Sequence, residues 1–386
     1  MDLAPAIDWP GQGGLVAVDA PAHCHLMICV YLHIPFCRHL CPYCDFVKRP
    51  YKGAASRRFV DTLVKEIQRF EGPREACSVF FGGGTPSVLT PKELARVLGA
   101  VRERFTVAQG GEIGFEANPD DITPETLAAW RELGINRLSV GAQSFDDDAL
   151  TYLGRAHGAQ AAHQACEWTA EAFSNWGMDL IFGAYPVESW GRTLAACRAH
   201  APPHISTYGL SYEPKTPFIK RAHEAVDDDV YIAQYEAAHT AFENHVHYEI
   251  SNFALPGYES QHNLLYWRNA EYVGFGPGAY SFLNGIRSRN LSRFRDYERD
   301  PGGKSEALKL TPAEIRVETV IQHLRLREGL EKRTYTERFG RSLEADYGEA
   351  IRELVERGLL EDEDGCIWPT LKGFEQNSEI GLALLG

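Results

Sequence analysis

The sequence contains few basic residues and no long apolar run. None of its windows approaches the roughly 18 consecutive apolar residues of a membrane-spanning helix, so we expect no membrane span. The 39 Lys and Arg residues are outnumbered by 53 Asp and Glu residues, and the formal net charge of −14 disfavours binding to nucleic acid phosphates. Residues 1–26 contain no Lys or Arg, which argues against a secretory signal or an Arg-rich transit peptide. We expect residues 1–27 to form a poorly ordered N-terminal extension.

The chain also lacks a disulfide framework, although it has nine cysteines. Six of them are isolated, and isolated cysteines are most often small buried apolar residues. A reducing compartment therefore suits the chain, and we predict a cytoplasmic protein. The isolated cysteines are Cys24, Cys29, Cys77, Cys166, Cys197 and Cys366.

The other three cysteines, Cys37, Cys41 and Cys44, form a CxxxCxxC triplet directly after an apolar run. Three thiolates on one loop can ligate three irons of a 4Fe-4S cluster and leave the fourth iron open to another ligand. S-adenosylmethionine can fill that position, since its amine and carboxylate can chelate one iron. One electron then cleaves a carbon–sulfur bond of the cofactor and releases a 5′-deoxyadenosyl radical.

A zinc site is the alternative explanation of the triplet. Structural zinc usually takes four nitrogen or sulfur ligands from two paired motifs, and the chain has no second CxxC pair. His33 and His39 could complete a tetrahedral set, so the spacing alone leaves zinc open.

Six short apolar runs alternate with amphipathic stretches from Cys29 onward. Each run is too short for a helix and rich in aromatic or β-branched residues, which is typical of buried strands. Between them lie helical patterns such as Ser56–Phe70, whose apolar residues recur at steps of three and four. The six predicted strands are Cys29–Ile34, Ser78–Phe81, Glu112–Ala117, Arg137–Gly141, Met178–Phe182 and His204–Leu210.

This alternation predicts an α/β fold with a parallel sheet, because right-handed crossovers place each helix on the same side of the sheet. Six units are two short of a closed eightfold barrel. We therefore predict a partial (βα)6 TIM-like barrel over residues 28–285. Ligands of such sheets bind at the carboxyl ends of the strands, where the candidate motifs of this chain lie.

Candidate ligand-binding groups lie in or after four of these strands. The second strand runs into Gly82-Gly83-Gly84-Thr85, whose glycines permit close backbone approach, although a plain turn would also explain them. Glu116 ends the third strand, where it could bind ribose hydroxyls or an amine, or be a simple exposed residue. Gln143 and Arg155 follow the fourth strand and offer hydrogen bonds and a fork for a carboxylate. Asp179 lies inside the fifth strand, where an unbound acid is costly.

The last segment, residues 311–386, combines helical patterns with two short strand patterns joined by a turn at Asp364-Gly365. That combination predicts a small winged-helix-like α+β domain. Its acidic wing would repel DNA phosphates. We therefore expect this domain to cap the barrel or to form a protein-docking surface, and we expect no nucleic acid partner.

Collinear motifs give the chain a family resemblance. From Val30 to the C-terminus it resembles radical S-adenosylmethionine (radical SAM) enzymes of the oxygen-independent coproporphyrinogen oxidase group. The resemblance implies an incomplete six-stranded barrel that holds a 4Fe-4S cluster and S-adenosylmethionine (SAM). The motifs are Tyr31-Leu32-His33-Ile34-Pro35-Phe36-Cys37, Gly82-Gly83-Gly84-Thr85-Pro86-Ser87, residues 137–146 and Ser251-Asn252-Phe253-Ala254.

The resemblance also implies roles for individual residues. It makes Cys37, Cys41 and Cys44 the cluster ligands, and it places Tyr31 and Tyr43 beside the cofactor. No catalytic residue follows from it. The further cofactor positions are Gly83, Gly84, Thr85, Glu116, Gln143, Arg155 and Asp179, with Ser211 and Tyr280 aligned more loosely.

Two features place the chain nearer to haem chaperones than to oxidases within that group. The oxidases carry a fourth cysteine two residues after the third, where this chain has Asp45-Phe46. The segment from His262 to Trp267 resembles the HNxxYW motif of the haem chaperones, which implies haem contact through His262, Tyr266 and Trp267. Imidazole is a usual axial ligand of haem iron. Without the resemblance, a hydrogen-bonded histidine beside two core aromatics would be the better explanation.

These features predict a haem chaperone that binds a 4Fe-4S cluster, SAM and haem and transfers haem to an acceptor protein, for example a respiratory one. We expect a flavodoxin or a ferredoxin as electron donor. One alternative is an oxygen-independent coproporphyrinogen III oxidase, which the missing fourth cysteine disfavours. The other is a radical enzyme that modifies RNA or protein.

Overall fold

The structure, a computed structural model, describes residues 27–386, so all but the last residue of the extension predicted for residues 1–27 lies outside the described residues. Within this range no helix combines the length and the apolar character that a membrane crossing requires. The strands are β1 (Ile28–Ile34), β2 (Phe36–Cys37), β3 (Arg49–Pro50), β4 (Glu75–Gly83), β5 (Thr106–Ala117), β6 (Arg137–Gln143), β7 (Trp176–Phe182), β8 (His204–Gly209), β9 (Val246–Glu249), β10 (Asn252–Ala254), β11 (Tyr272–Phe275), β12 (Tyr280–Leu283), β13 (Ile286–Asn290), β14 (Lys304–Lys309), β15 (Leu330–Glu331), β16 (Leu360–Glu363) and β17 (Cys366–Pro369).

Helices connect the strands and build the C-terminal part of the chain. They are α1 (Gly53–Arg69), α2 (Pro91–Arg104), α3 (Pro124–Glu132), α4 (Asp147–Leu153), α5 (Ala159–Ala172), α6 (Ser189–His200), α7 (Asp228–Ala241), α8 (Gln261–Trp267), α9 (Phe294–Arg299), α10 (Pro312–His323), α11 (Lys332–Phe339), α12 (Leu343–Glu356), α13 (Leu371–Glu375) and α14 (Asn377–Leu385).

One twelve-stranded sheet dominates the described residues, in the order β14-β13-β12-β11-β1-β4-β5-β6-β7-β8-β10-β9. The strands β1, β4, β5, β6, β7 and β8 are successive parallel neighbours, which confirms the partial six-stranded barrel. The sequence did not reveal β11, a seventh parallel strand that pairs with β1. Its four residues form a strand only through this long-range pairing, and local pattern gives little signal for that.

The outer face of the barrel strands supplies the main hydrophobic core. Side chains alternate along β1, so Val30, Leu32 and Ile34 are fully buried in the core with the helices, whereas Tyr31 and His33 point the other way, into the barrel. Along β1 the barrel interior is therefore the more polar side of the sheet.

Local capping chemistry sets the helix starts. The sequence Thr90-Pro91-Lys92-Glu93 is typical of a capping box. The box is present at α2, because Thr90 Oγ1 accepts the Glu93 N–H at 3.3 Å and a Glu93 carboxylate oxygen accepts the Thr90 N–H at 2.9 Å. Asp146 caps α4 by accepting the Ala149 N–H at 3.0 Å. These signals lie within a few residues of each other, which is why the sequence alone reveals them.

The C-terminal residues form a second core around α10–α12, α14 and the three-stranded sheet β15-β17-β16, as expected for a winged-helix-like unit. Polar contacts join this unit to the barrel, including Arg268 to Glu328 at 2.8 and 3.0 Å and Arg287 to Glu318 at 2.6 and 2.8 Å. The main sheet continues to Lys309. The domain bounds at 285 and 311 stay predictions.

A buried carboxylate at Glu66 ties α1 to the far side of the sheet. It accepts hydrogen bonds from Tyr297 Oη at 2.6 Å, Asn290 Nδ2 at 2.7 Å and the Gly276 N–H at 2.9 Å. Burial nevertheless raises the pKa of this carboxyl. Three donors converge on one acid, so its removal leaves them without their acceptor.

We expect Glu66→Ala to lower the free energy of unfolding by about 2–4 kcal/mol, because three buried donors lose their partner. Urea denaturation followed by circular dichroism measures this change. Glu103→Ala is the matched control, since Glu103 is exposed on neighbouring α2 and its loss should change stability by less than about 0.5 kcal/mol. Equal midpoints for the two variants would contradict the role assigned to Glu66.

Candidate functional site

The cysteine loop leaves the barrel directly after β1. β2 pairs in parallel with β3, and the Tyr51 N–H donates to the Cys37 carbonyl at 2.8 Å, so both ends of the loop are fixed. The Cys44 N–H donates to the Cys41 carbonyl at 3.3 Å, which folds the two cysteines into one turn. Cys37 is buried, and Cys41 and Cys44 are half-buried.

A cavity of about 430 Å³ opens beside this loop at the carboxyl ends of the parallel strands. It brings together twelve of the fourteen residues predicted to bind the cluster or SAM. These are Cys37, Cys41, Tyr43, Cys44, Gly83, Gly84, Thr85, Glu116, Gln143, Arg155, Asp179 and Ser211.

The glycine run after β4 is needed for close packing under the cysteine loop. A Cβ at Gly84 would lie 2.8 Å from the carbonyl oxygens of both Ile34 and Phe36, and the Gly84 N–H donates to Ile34 at 2.8 Å. Gly83 has a φ of +108°, and a Cβ there would lie 2.4 Å from His33 Nδ1. No side chain fits at either position, so the run is more than an ordinary turn.

Arg155 is the main cation of the cavity. Its Nη1 lies 3.2 Å from Cys41 Sγ and 3.4 Å from Tyr43 Oη, while Nη2 donates to Asn118 Oδ1 at 2.8 Å and to the Gly141 carbonyl at 3.0 Å. The guanidinium is thus held in one orientation beside a cysteine. Its buried Nε has no hydrogen-bond partner among the described residues. A fixed positive charge therefore lies within hydrogen-bond distance of one of the three sulfurs.

Glu116 and Asp179 add two acids to the lining of the cavity. Burial, and then the charge of Asp179, raise the pKa of Glu116 to about 8, although the Gly83 N–H partly stabilises the carboxylate. Burial also raises the pKa of Asp179, against hydrogen bonds from Ser206 and from Ser139 Oγ at 2.9 Å. Such acids are costly to ionise until a cation or hydroxyl groups bind them.

Backbone strain and a hydroxyl complete the cavity wall. Gln143, at the end of β6, has a φ of +65°, an unusual conformation for a residue other than glycine. Strain of this kind is often kept where a side chain must point into a site. Thr85 forms a side-chain hydrogen bond with Cys37, whose thiol pKa burial raises to about 11.

Tyr31 and Tyr280 do not line the cavity. Tyr31 lies inside the barrel with its Oη 3.2 Å from His33 Nδ1, and its ring stacks on Phe80 at a centroid distance of 6.5 Å. Tyr280 is 43% exposed on β12, under the guanidinium of Arg289. Their predicted contact with SAM stays a prediction.

The HNxxYW segment forms α8, which lies against β4 and β5 inside the barrel, toward the amino ends of the strands. His262 is only 1% exposed, and both ring nitrogens are engaged: Nδ1 lies 2.8 Å from Ser78 Oγ and Nε2 lies 3.0 Å from Tyr266 Oη. Burial lowers its pKa to about 3. The Arg325 guanidinium covers one face of Trp267, with its carbon 4.3 Å from the ring centroid.

These contacts do not present a haem site in this conformation. An axial ligand needs a free ring nitrogen and room for a macrocycle, and His262 offers neither. Haem contact through His262, Tyr266 and Trp267 therefore stays a prediction, and it requires α8 to move.

Glu112, a residue that sequence reasoning missed, fixes the start of α8. Its carboxylate accepts the Gln261 N–H at 3.0 Å and the His262 N–H at 3.1 Å, and buried Arg137 lies 3.8 Å away. A carboxylate at a helix start is favourable. Nothing local in the sequence links Glu112 to residues 150 positions later.

Other cavity residues were also missed. Asn118 directs Arg155, Tyr208 lines the cavity from β8, and Lys48 lines it beside the cysteines while its Nζ donates to the Cys44 carbonyl. Asn118 follows Glu116 by two residues and Tyr208 lies in a predicted strand, so strand-end position was a usable signal for both. For Lys48 the sequence offered no such signal.

The residues around the cysteine loop fit a 4Fe-4S cluster. The donor set is three thiols from one loop, and the adjoining cavity has room for a further ligand. Residues 27–386 contain no group of three His, Cys, Asp or Glu side chains arranged around a single metal ion. A cubane differs from such a site, because each thiolate binds its own iron.

Comparison with known proteins agrees with this geometry. Residues 31–192 match the radical SAM superfamily model, and residues 310–375 match the HemN C-terminal domain. Among solved structures, coproporphyrinogen III oxidase (HemN) from Escherichia coli superposes with a TM-score of 0.82 at 20% identity, covering 93% of this chain and 90% of that one. That likeness shows a shared fold.

Curated relatives extend the match to nearly the whole chain. Heme chaperone HemW of Lactococcus lactis is 34% identical over 376 residues, which cover 91% of this chain and 95% of that protein. Heme chaperone HemW of Bacillus subtilis is 33% identical over 379 residues, covering 92% and 98%. Identity of this extent, together with the cysteine loop at the mouth of the barrel, shows that the chain belongs to the HemW family within the radical SAM superfamily.

Proposed function

We propose that this protein is a cytoplasmic haem chaperone that holds a 4Fe-4S cluster on Cys37, Cys41 and Cys44, binds SAM in the adjoining cavity and transfers haem to an acceptor protein. The observation that carries the cluster and SAM part is the convergence of twelve predicted residues on one cavity. The names of the relatives support haem as the cargo. The acceptor, for example a respiratory protein, and a flavodoxin or ferredoxin as electron donor belong to the same proposal.

The charged side chains of the cavity suit different groups of SAM. Arg155, held by Asn118 and the Gly141 carbonyl, lies beside Cys41 and offers its Nε to a carboxylate. Glu116 and Asp179, which also line the cavity, offer acceptors to an amine or to ribose hydroxyls. The cluster, when bound, supplies one electron for cleavage of a sulfonium carbon–sulfur bond.

The oxidase alternative has less support. The likeness to the Escherichia coli oxidase, at 20% identity, concerns the fold alone. At the position of the oxidases' fourth cysteine, Phe46 lines the cavity and is 64% exposed, and an aromatic ring cannot replace a thiol.

Metal content tests the cysteine assignment. After anaerobic reconstitution with iron and sulfide, we expect about four irons per chain and a paramagnetic signal after dithionite reduction. Cys41→Ser should lose most of the iron and the signal. Cys166→Ser, a substitution of a fully buried cysteine on α5, is the control and should retain both. Stoichiometric zinc without a paramagnetic signal would contradict the assignment.

The pH dependence of stability tests the acid pair. The pKa of Glu116 is raised in the folded state, so its contribution to stability is full below the unfolded pKa and is lost as pH rises toward 8. Glu116→Gln removes this loss. We expect the free energy of unfolding of the variant, relative to that of wild type, to rise by about 1–3 kcal/mol from pH 5 to pH 8.5. Urea denaturation of the metal-free proteins measures this change.

Glu132→Gln serves as the control for that experiment, since Glu132 is exposed at the end of α3. Its stability curve should stay parallel to that of wild type. A parallel curve for Glu116→Gln as well would show that Glu116 titrates normally.

Haem titration tests the cargo and its ligand. We expect wild type to develop a haem absorbance band and His262→Ala to weaken it, because an axial ligand is lost. Tyr266→Phe should tighten haem binding about fivefold, since it frees His262 Nε2 from a hydrogen bond worth about 1 kcal/mol.

His204→Ala is the matched control, since His204 is another buried barrel histidine, with Nε2 2.8 Å from Tyr248 Oη. It should leave the haem band unchanged. An unchanged band in His262→Ala would remove His262 as ligand, and conversion of coproporphyrinogen to protoporphyrinogen would favour the oxidase alternative.

A further inference from the structure

Positive charge is concentrated around the cysteine loop of this acidic chain. Residues 38–58 contain six basic residues and one acidic residue, a net charge of +5, whereas the whole chain carries −14. The basic residues are Arg38, Lys48, Arg49, Lys52, Arg57 and Arg58.

The basic segment is joined directly to the strand that carries the first cysteine. The register of the ladder between β2 and β3 pairs Phe36 with Arg49 and Cys37 with Pro50. The Arg49 N–H also donates to the Pro35 carbonyl at 2.7 Å. Neighbouring strands lie about 5 Å apart, so the basic segment runs directly beside Cys37.

Much of this positive charge reaches solvent. Lys52 and Arg57 are exposed, and neither forms an ion pair with any residue of the described chain. Arg38 and Arg58 pair with Asp121 and Glu298, yet their side chains remain 57% and 63% exposed. Pairing therefore neutralises only part of the charge.

A neighbouring helix start extends the basic surface. The rings of Phe294 and Phe36 pack with their centroids 5.8 Å apart. The Arg49 guanidinium lies 3.9 Å from the centre of the Phe294 ring. The residues on either side, Arg293 and Arg295, are exposed. They add two positive charges next to α1, and we call residues 38, 48, 49, 52, 57, 58, 293 and 295 the basic face.

We propose that the basic face docks an acidic protein that delivers one electron to the cluster. The inference rests on the proposed function, since it requires a cluster on the three cysteines. A patch of one sign steers a partner of the opposite sign and raises the association rate. A nucleic acid is the less favoured occupant, because the rest of the chain carries −19 and would repel its phosphates along most of the surface.

Electron transfer in the docked complex needs no reagent besides the two proteins. A flavin hydroquinone of a flavodoxin-type partner loses one electron and becomes a semiquinone, and the oxidised cluster gains that electron. No covalent bond forms between the two proteins.

Charge reversal at two unpaired positions tests the docking face. Lys52→Glu/Arg57→Glu is compared with wild type after cluster reconstitution, using reduced flavodoxin as the probe. At low ionic strength we expect the double variant to associate and to be reduced at least about tenfold more slowly, and the difference to vanish at high salt. Association is measured separately by titration of fluorescently labelled flavodoxin.

Arg131→Glu/Arg352→Glu makes the same change in charge on exposed residues of α3 and α12, away from the basic face. It should behave as wild type. Dithionite should reduce the cluster equally in all three proteins, and iron content and SAM binding should be equal, so loss of the cluster is distinguishable from loss of docking. Equal flavodoxin rates in the double variant and wild type, or binding of an RNA oligonucleotide but not of flavodoxin, would overturn the proposal.

Discussion

The parallel pairing of β1 with β4 is the constraint on which the site depends. Its register places Ile34 beside Gly83, so the cysteine loop that leaves β1 and the glycine run that leaves β4 meet at one edge of the sheet. The two segments then pack so closely that a Cβ at Gly84 would contact two carbonyl oxygens. A side chain there would push the loop away from the cavity, and Cys41 would lose its contact with Arg155. The register of β1 with β4 thus determines where the cysteine loop lies relative to the cavity.

The barrel interior connects this site with the HNxxYW helix. Tyr31 stacks on Phe80, and Phe80 stacks on His262 with ring centroids 5.0 Å apart. The ring of His262 in turn meets that of Tyr266 edge-on, with centroids 4.9 Å apart. Because tightly packed rings move together or not at all, α8 cannot shift without disturbing residues below the cavity. The C-terminal unit holds the other end of α8 through the pair of Arg268 with Glu328. Haem binding at α8, as proposed above, would have to loosen these contacts, and the stacked rings would couple that movement to the residues below the cavity.

The sequence predicted the parts of the fold that depend on local pattern. Short apolar runs gave the six barrel strands, and the box at Thr90 and Glu93 gave a helix start, because each signal lies within a few residues. Strand-end position located most of the cavity, since parallel strands bring their carboxyl ends to one edge. The strand β11 and the contact of Glu112 with α8 could not be predicted in this way, because each exists only through residues far apart in the chain. The state of His262 was hidden for the same reason: its partner Ser78 lies 184 positions away.

The most direct measurement of the central claim is electron–nuclear double resonance on the dithionite-reduced, reconstituted protein with SAM labelled by ¹⁷O at the carboxylate and ¹⁵N at the amine. We predict strong hyperfine coupling from both labels to the cluster, because the iron without a cysteine ligand is proposed to bind the amino acid end of SAM. A reduced cluster whose spectrum shows no coupling to either nucleus would contradict it.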